Sequence, residues 1–238
     1  MSGSNYSIID HCSVSWTIDE GFSSRNGKNI TLQRTMISEA LNVANHENYP
    51  YGTEHGYAAS ISGDIGSFHH NLLAHCSGRN WSLAGGLDGT GHFAGRLDIF
   101  NNVVYNWHSR VTDGGAHEVN FVNNYYKRGP ASDLDITYAL KAQYENFPGT
   151  QQYYFKGNIM PGVFDTSNQE DGRIYTGEPN GYKPWVDQPF FESLAVIQPA
   201  REAYKNVLSD VGCTQPVFDK HDTRIIRETR DSTYTYTG

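Results

Sequence analysis

Cysteine is scarce in this chain: its 238 residues include three, Cys12, Cys76 and Cys213. They are too few and too scattered for a disulfide framework and lack metal-ligand spacing, so a single unassigned bridge is the most they allow. Long apolar runs are missing too. Nothing approaches the roughly eighteen residues that a membrane span needs, and the opening Met1-Ser-Gly-Ser does not read as a signal peptide. Positive charge is in short supply: the formal net charge is −8. That argues against non-specific binding to nucleic acid, whose phosphates call for a basic surface. An acidic sugar polymer stays open as a partner, because a local basic groove or a bound cation can reverse the sign where it matters.

Aromatic residues and glycine are plentiful. Sixteen Tyr and twenty-four Gly accompany only 18% charged residues, the profile of a turn-rich all-β protein. The length supports one sizeable core, and nothing in the composition forces a second domain. We therefore expect 1–238 to be one elongated domain.

The chain repeats itself. Ile8-Ile9-Asp10-His11-Cys12-Ser13-Val14 aligns with Thr31-Leu32-Gln33-Arg34-Thr35-Met36-Ile37 and with Phe68-His69-His70-Asn71-Leu72-Leu73. Ile99 to Val104, Phe121 to Tyr126 and Phe155 to Met160 continue the series. One slot is shared by Cys12, Thr35, Asn71, Asn102, Asn124 and Asn158, at spacings of 23, 36, 31, 22 and 34 residues. Constant phrases with variable spacers mean one short strand per coil with insertions in loops on one side, which describes a parallel β-solenoid. Asn in the shared slot suits a bend, since it tolerates left-handed backbone and bonds to nearby main chain, and stacked Asn side chains can bond from coil to coil. The competing reading takes Asn-Asn as ordinary turns between antiparallel strands.

We read residues 1–160 as coils and 161–192 as a Pro/Gly-rich loop excursion. Ala200, Ala203, Tyr204, Val207 and Leu208 have helical spacing before Gly212, giving a helix over 193–212. The polar, Thr/Tyr-rich 213–238 reads as an extended tail. The first repeat begins with no cap before it, so we expect self-association at this uncapped end or further coils upstream.

Several phrases together resemble a known family. They are Asp10-His11-Cys12-Ser13-Val14-Ser15-Trp16 with Asp19-Glu20, Phe68 to His75 with Arg79-Asn80, Asn101 to Trp107, and Val122 to Lys127 with Gly129-Pro130. The match is to the bacterial branch of the pectate lyase family. Val207-Leu208 to Gly212 and Asp222 to Ile226 resemble that family's C-terminal region. The resemblance implies a single-stranded right-handed parallel β-helix, a pectin lyase-like solenoid, with a short C-terminal helix. It also implies a secreted or periplasmic enzyme that cleaves a pectate-like uronic-acid polymer by β-elimination with calcium, and family members carry further coils and calcium-holding aspartates upstream of the Asp10-His11 phrase.

By motif position Arg79 matches the family's arginine base, and Asp19, with Glu20 beside it, matches a calcium-holding aspartate. An arginine with an ordinary pKa is a poor base: holding it neutral at pH 9 costs about 5 to 6 kcal/mol, so the role needs a neighbouring cation, an alkaline medium or both. Arg79 could instead form a surface salt bridge or clamp a substrate carboxylate, and Asp19 and Glu20 could be solvated loop acids. His55, His70, Arg96 and Arg110 are the candidate substrate contacts, with a stacked structural role open for His70 and a plain surface role open for each arginine. Adjacent on a strand, His69 and His70 should face opposite ways. The resemblance departs at Trp81 and Ser82, which stand where Pro and Arg usually follow the arginine, at Ser23, where many members carry a second acid, and in the lack of lysine between Lys28 and Lys127. Two other functions compete: a non-catalytic carbohydrate-binding or truncated inactive β-helix, and, more weakly, a glycoside hydrolase, which would need carboxylates clustered at the bond.

Overall fold

The computed structural model describes residues 1–87, 93–145, 149–177 and 180–236. Among them lie three parallel sheets and one short antiparallel hairpin, Gly86–Leu87 with Phe93–Ala94. Each coil visits the sheets in the same order. One coil, for example, runs Lys28–Gln33 in the first sheet, Met36–Ser38 in the second and Ala59–Ile61 in the third. The next follows with Asp64–His69, Leu72–Ala74 and Ser82–Leu83. The sheets have seven, five and six strands. This is the parallel β-helix expected from the repeats.

Stacking in register builds the core. Leu32, Phe68, Ile99, Phe121 and Phe155 lie opposite one another on successive strands of the first sheet and are all buried. Ile37, Leu73, Val104 and Tyr126 do the same from the second sheet. Burying such side chains contributes about 1.5 to 3 kcal/mol each. Close packing also dictates Gly114, whose φ is +119° and whose missing Cβ leaves room for the Leu83 carbonyl.

The turn between the first two sheets carries the repeated slot. Asn71 Nδ2 donates to Asn102 Oδ1 at 3.0 Å, Asn102 Nδ2 to Asn124 Oδ1 at 3.0 Å, and Asn124 Nδ2 to Asn158 Oδ1 at 3.1 Å. The same three oxygens accept the backbone N–H of the preceding slot, at Asn71, Asn102 and Asn124, and Asn71 Oδ1 accepts from Thr35 N. Gln169, outside the repeats, closes the ladder by accepting from Asn158 N at 3.0 Å. The left-handed residue is not the ladder Asn, as expected, but its predecessor: His11, Arg34, His70, Asn101, Asn123 and Gly157 all have positive φ. The ladder residue supplies hydrogen bonds, and the residue before it turns the chain.

Other expectations are corrected by the structure. The excursion 161–192 is not all loop: Arg173–Thr176 extends the third sheet and Trp185–Val186 the first, while 178–179 lie outside the described residues. The helix expected over 193–212 is shorter: α1 spans Ala200–Asp210, and a non-helical strap precedes it. The tail is not extended, for Lys220–Asp231 forms a second helix, α2, whose N-cap Asp219 accepts from Asp222 N. Residues 237–238 of that tail lie outside the described set. The buried face of α2 is Asp222, Ile225, Glu228 and Thr229. Three of those four are polar, so apolar periodicity could not reveal it. Together α1 and α2 cover the outer face of the second sheet, against Met36, Leu72, Val103 and Tyr125.

Candidate active site

Arg79 lies in the turn that leaves Leu72–Ala74 and enters Ser82–Leu83, with a left-handed φ of 51°. Its carbonyl is fixed by Ala59 N at 3.0 Å. The following peptide, Asn80–Trp81, is cis, and Trp81 is fully buried against Phe68. Trp81 therefore serves the core. Arg79 is left facing outward, half-buried, at the mouth of the third sheet.

Four successive coils contribute to its surroundings. From the first, Glu20 makes ion-pair contact with Arg79 Nη1, and Asp19 Oδ1 lies 3.9 Å from the same nitrogen. From the second, Ser60 Oγ donates to Glu20 Oε1 at 2.6 Å, and the ring of Tyr57 lies 4.1 Å below the Arg79 guanidinium. From the fourth comes Arg110, 5.7 Å from the same ring and held in a bidentate pair by Asp113 at 2.7 and 2.6 Å. Tyr57 continues outward into a stack of rings: His55 at 5.1 Å, Tyr49 at 3.8 Å from His55, and His46 at 4.9 Å from Tyr49.

The electrostatics single out Arg79. Burial, then the nearby Arg110 charge, push its pKa down, while Asp19 and Asp113 oppose the shift. The same Arg110 is pushed the other way, first by its hydrogen bonds to Asp113. The two guanidinium groups around one ring are thus pushed in opposite directions, although the Glu20 contact itself favours the charged form of Arg79. Asp19 Oδ1 and His55 Nδ1 are buried without hydrogen-bond partners, so both retain bonding capacity at the site.

Of the residues singled out from the sequence, Asp19, Glu20, Arg79 and Arg110 come together, and His55 joins them through Tyr57. His70 and Arg96 do not. His70 sits in the ladder turn under the strap, with Nε2 3.3 Å from Gln198 Oε1. Its left-handed φ also cancels the strand alternation, so His69 and His70 do not face opposite ways; their Nδ1 atoms are 2.9 Å apart. Arg96 lies on the first sheet, paired through Nε and Nη2 with Asp64 at 2.8 and 2.5 Å. Sequence reasoning did not find Asp113 or Ser60. Asp113 carried one usable signal, its position three residues after Arg110 on the way into a strand.

The calcium expected by resemblance can be tested against these residues. Calcium takes about six to eight oxygen ligands. Asp19 and Glu20 are adjacent carboxylates already facing the Arg79 cation, and among the described residues no group of three or more His, Cys, Asp or Glu could hold a metal. The residues present do not form a calcium shell by themselves, and no chemical step is derived through the ion.

No family model matches the chain. Three curated fungal proteins, each named a probable pectate lyase C, are similar to it. That of Aspergillus terreus is 32% identical over 241 residues, covering 94% of this chain and 48% of that protein. The Emericella nidulans protein is 32% identical over 229 residues, covering 94% and 47%, and one from Aspergillus fumigatus is 28% identical over 234 residues, covering 94% and 48%. The chain spans about half the length of the curated relatives it matches. A solved thermostable pectate lyase overlaps 82% of this chain and 54% of its own, with 16% identity and a TM-score of 0.47. In sequence, the chain is similar to proteins of the pectate lyase family over the part of them that it spans.

Proposed function

We propose that this chain acts as a polysaccharide lyase on a pectate-like uronic-acid polymer, with Arg79 as the base. The observation that carries the proposal is the contrast between Arg79, whose pKa is lowered by burial and by Arg110, and Arg110 itself, held charged by Asp113. In β-elimination the base takes the proton at C5, beside the sugar carboxylate. The C5 electron pair forms the C4–C5 double bond, the C4–O bond breaks, and the leaving oxygen acquires a proton. No water is added. Charge builds on the sugar carboxylate, where a fixed cation gives the largest rate benefit; Arg110, whose charge is partly offset by its pair with Asp113, is the cation beside Arg79 that contributes there. Tyr57 contacts both guanidinium groups through its ring, Arg79 more closely than Arg110. The ring stack from Tyr57 to His46 offers flat surfaces for the sugars on one side.

Glu20 must release Arg79 before the base can act. A substrate carboxylate arriving at Arg79 competes with Glu20 for the guanidinium, and an alkaline medium removes its proton. The Arg79 contact with Glu20 is also what favours the competing reading, a site that binds an acidic sugar without turning it over. The sequence motifs alone support the bacterial branch within the family. A polymeric substrate that cannot enter a cell supports a secreted or periplasmic location, and the edge strand Asn5–Asp10 supports self-association.

Product analysis decides between these readings. Mass spectrometry of digests of polygalacturonate should find fragments whose masses sum to the substrate, with one unsaturated end per cut. Fragments heavier by one water per cut would mean hydrolysis. Binding without new fragments at any alkaline pH would mean a non-catalytic sugar-binding protein.

A further inference from the structure

A cavity lies on the outer face of the first sheet, whereas Arg79 stands in the turn that enters the third. Its volume is about 530 Å³, within the range of small-molecule sites. One bank is a column in register along the solenoid: Ile8, Thr31, Ser67 and Asp98. Two residues earlier on the same strands, Tyr6, Asn29 and Ile65, each with positive φ, and Arg96 also line it. Phe191, Glu192 and Leu194 of the strap close one side.

This strap is held in place. Asn120 accepts from Phe190 N at 3.1 Å and donates to the Phe191 carbonyl at 3.0 Å. Asn101 and Asn123 both donate to the Gln198 carbonyl, at 2.6 and 2.8 Å, and Asn101 accepts from Gln198 N at 2.7 Å. The cavity is thus a built feature of the fold.

Polar groups at its floor lack partners. Asp98 is 4% exposed and Ser67 5%. Neither carboxylate oxygen of Asp98 has a hydrogen bond, and neither does Ser67 Oγ. Ser193 and Asn120 stand close enough to favour the ionised carboxylate, yet neither reaches it with hydrogen-bond geometry. Burial dominates and raises the Asp98 pKa to about 6. Leaving such groups unbonded costs about 1 to 3 kcal/mol each, and buried polar groups are ordinarily satisfied. A ligand hydroxyl, which both donates and accepts, matches a carboxyl and a hydroxyl side by side.

The charge and the walls narrow the ligand class. Arg96 is neutralised by its bidentate pair with Asp64, which leaves Asp98 and Glu192 as the acids of the cavity. An acidic polymer is repelled there. The walls are apolar and aromatic, with Tyr6 81%, Ile8 68% and Leu194 81% exposed, surfaces that pack against the C–H faces of a sugar ring. We propose that this groove binds a neutral oligosaccharide, its hydroxyls bonded by Asp98 and Ser67 and its ring faces packed on Tyr6 and Phe191. The chain would then hold a neutral glycan on one sheet while the turn that carries Arg79 faces an acidic one. This inference does not rest on lyase activity.

The test is an NMR titration of the isotopically labelled chain with neutral gluco-, xylo-, galacto- and manno-oligosaccharides, and with oligogalacturonate for comparison. At least one neutral series should shift the signals of Tyr6, Ile8, Ile65 and Leu194. Asp98→Asn, and Leu194→Ser at an exposed position, should each weaken that binding, the former by about tenfold or more; Arg79→Ala should leave it unchanged. The proposal is overturned if no neutral oligosaccharide moves these signals, if oligogalacturonate moves them with equal affinity, or if a second copy of the chain covers them in sedimentation and cross-linking.

Discussion

The guanidinium of Arg79 is centred 4.1 Å over the ring of Tyr57, and that of Arg110 lies 5.7 Å from the same ring. Replacing Tyr57 with Leu removes the aromatic face while keeping a bulky apolar group. We expect kcat/KM on polygalacturonate to fall about tenfold, given the usual strength of a partly desolvated cation–π contact. Tyr57→Phe, which keeps the face, should stay near the parent. Equal losses in the two variants would mean that the hydroxyl, and not the ring, serves the site.

The rate should climb with pH in the alkaline range. A base works only after losing its proton, so activity follows the neutral fraction of Arg79. Its pKa is lowered by burial and by Arg110, which moves the rising limb below the ordinary arginine range. Arg110→Ala removes the second of those causes, so the limb should shift to higher pH. A limb unmoved by that change would assign the titration to another group.

Much of the fold was legible because one interaction repeats. The slot from Thr35 to Asn158 announced the coils, since a ladder requires the same residue at the same turn. The third sheet was not legible, because strands as short as Phe22–Ser23 and Ser82–Leu83 carry no alternation to read. Helix α2 escaped because its buried face is mostly polar: Asp222 accepts from Ser13 Oγ at 2.5 Å, and Arg224 Nη1 bonds Glu39 and Glu228 at 2.7 and 3.1 Å. At the site, Arg79, Asp19 and Glu20 were legible through motif position. His70 and Arg96 misled because sequence distance from Arg79 says nothing of which sheet a residue joins. Each found a local partner, Gln198 and Asp64, on the first-sheet side.

The ladder makes a stability prediction. Asn102 is fully buried; it accepts from Asn71 N and Nδ2 and donates to the Phe68 carbonyl and Asn124 Oδ1. Asn102→Ala strands those partners inside the solenoid and should cost about 3 kcal/mol or more. Urea denaturation would measure it. A loss below about 1 kcal/mol would mean that the backbone pairing between coils holds the turn without the side chain.

Acid should unfold the chain early. His69, stacked on Phe100, and His75, facing Glu228, Glu39, Arg224 and His221 near α2, are both held neutral chiefly by burial, with pKa values lowered to about 4. A histidine depressed from 6.5 in the unfolded chain stabilises the fold fully above that pH, and the contribution disappears as pH falls toward 4. Each contributes up to about 3 kcal/mol. Melting temperature should therefore fall between pH 6.5 and 4, and His69→Gln should flatten part of that fall. A melting temperature constant across the window would place both rings in contact with water.

The central claim is that Arg79 takes the proton in an elimination. It is tested most directly by the ultraviolet absorbance of unsaturated uronate formed from polygalacturonate at alkaline pH, with the parent chain and Arg79→Ala compared. The account predicts a steady rise for the parent and a rate lower by a factor of about 10² to 10⁴ for the variant, with the melting temperature little changed. A parent that produces no unsaturated product, or a folded variant that produces it at the parent's rate, would contradict it.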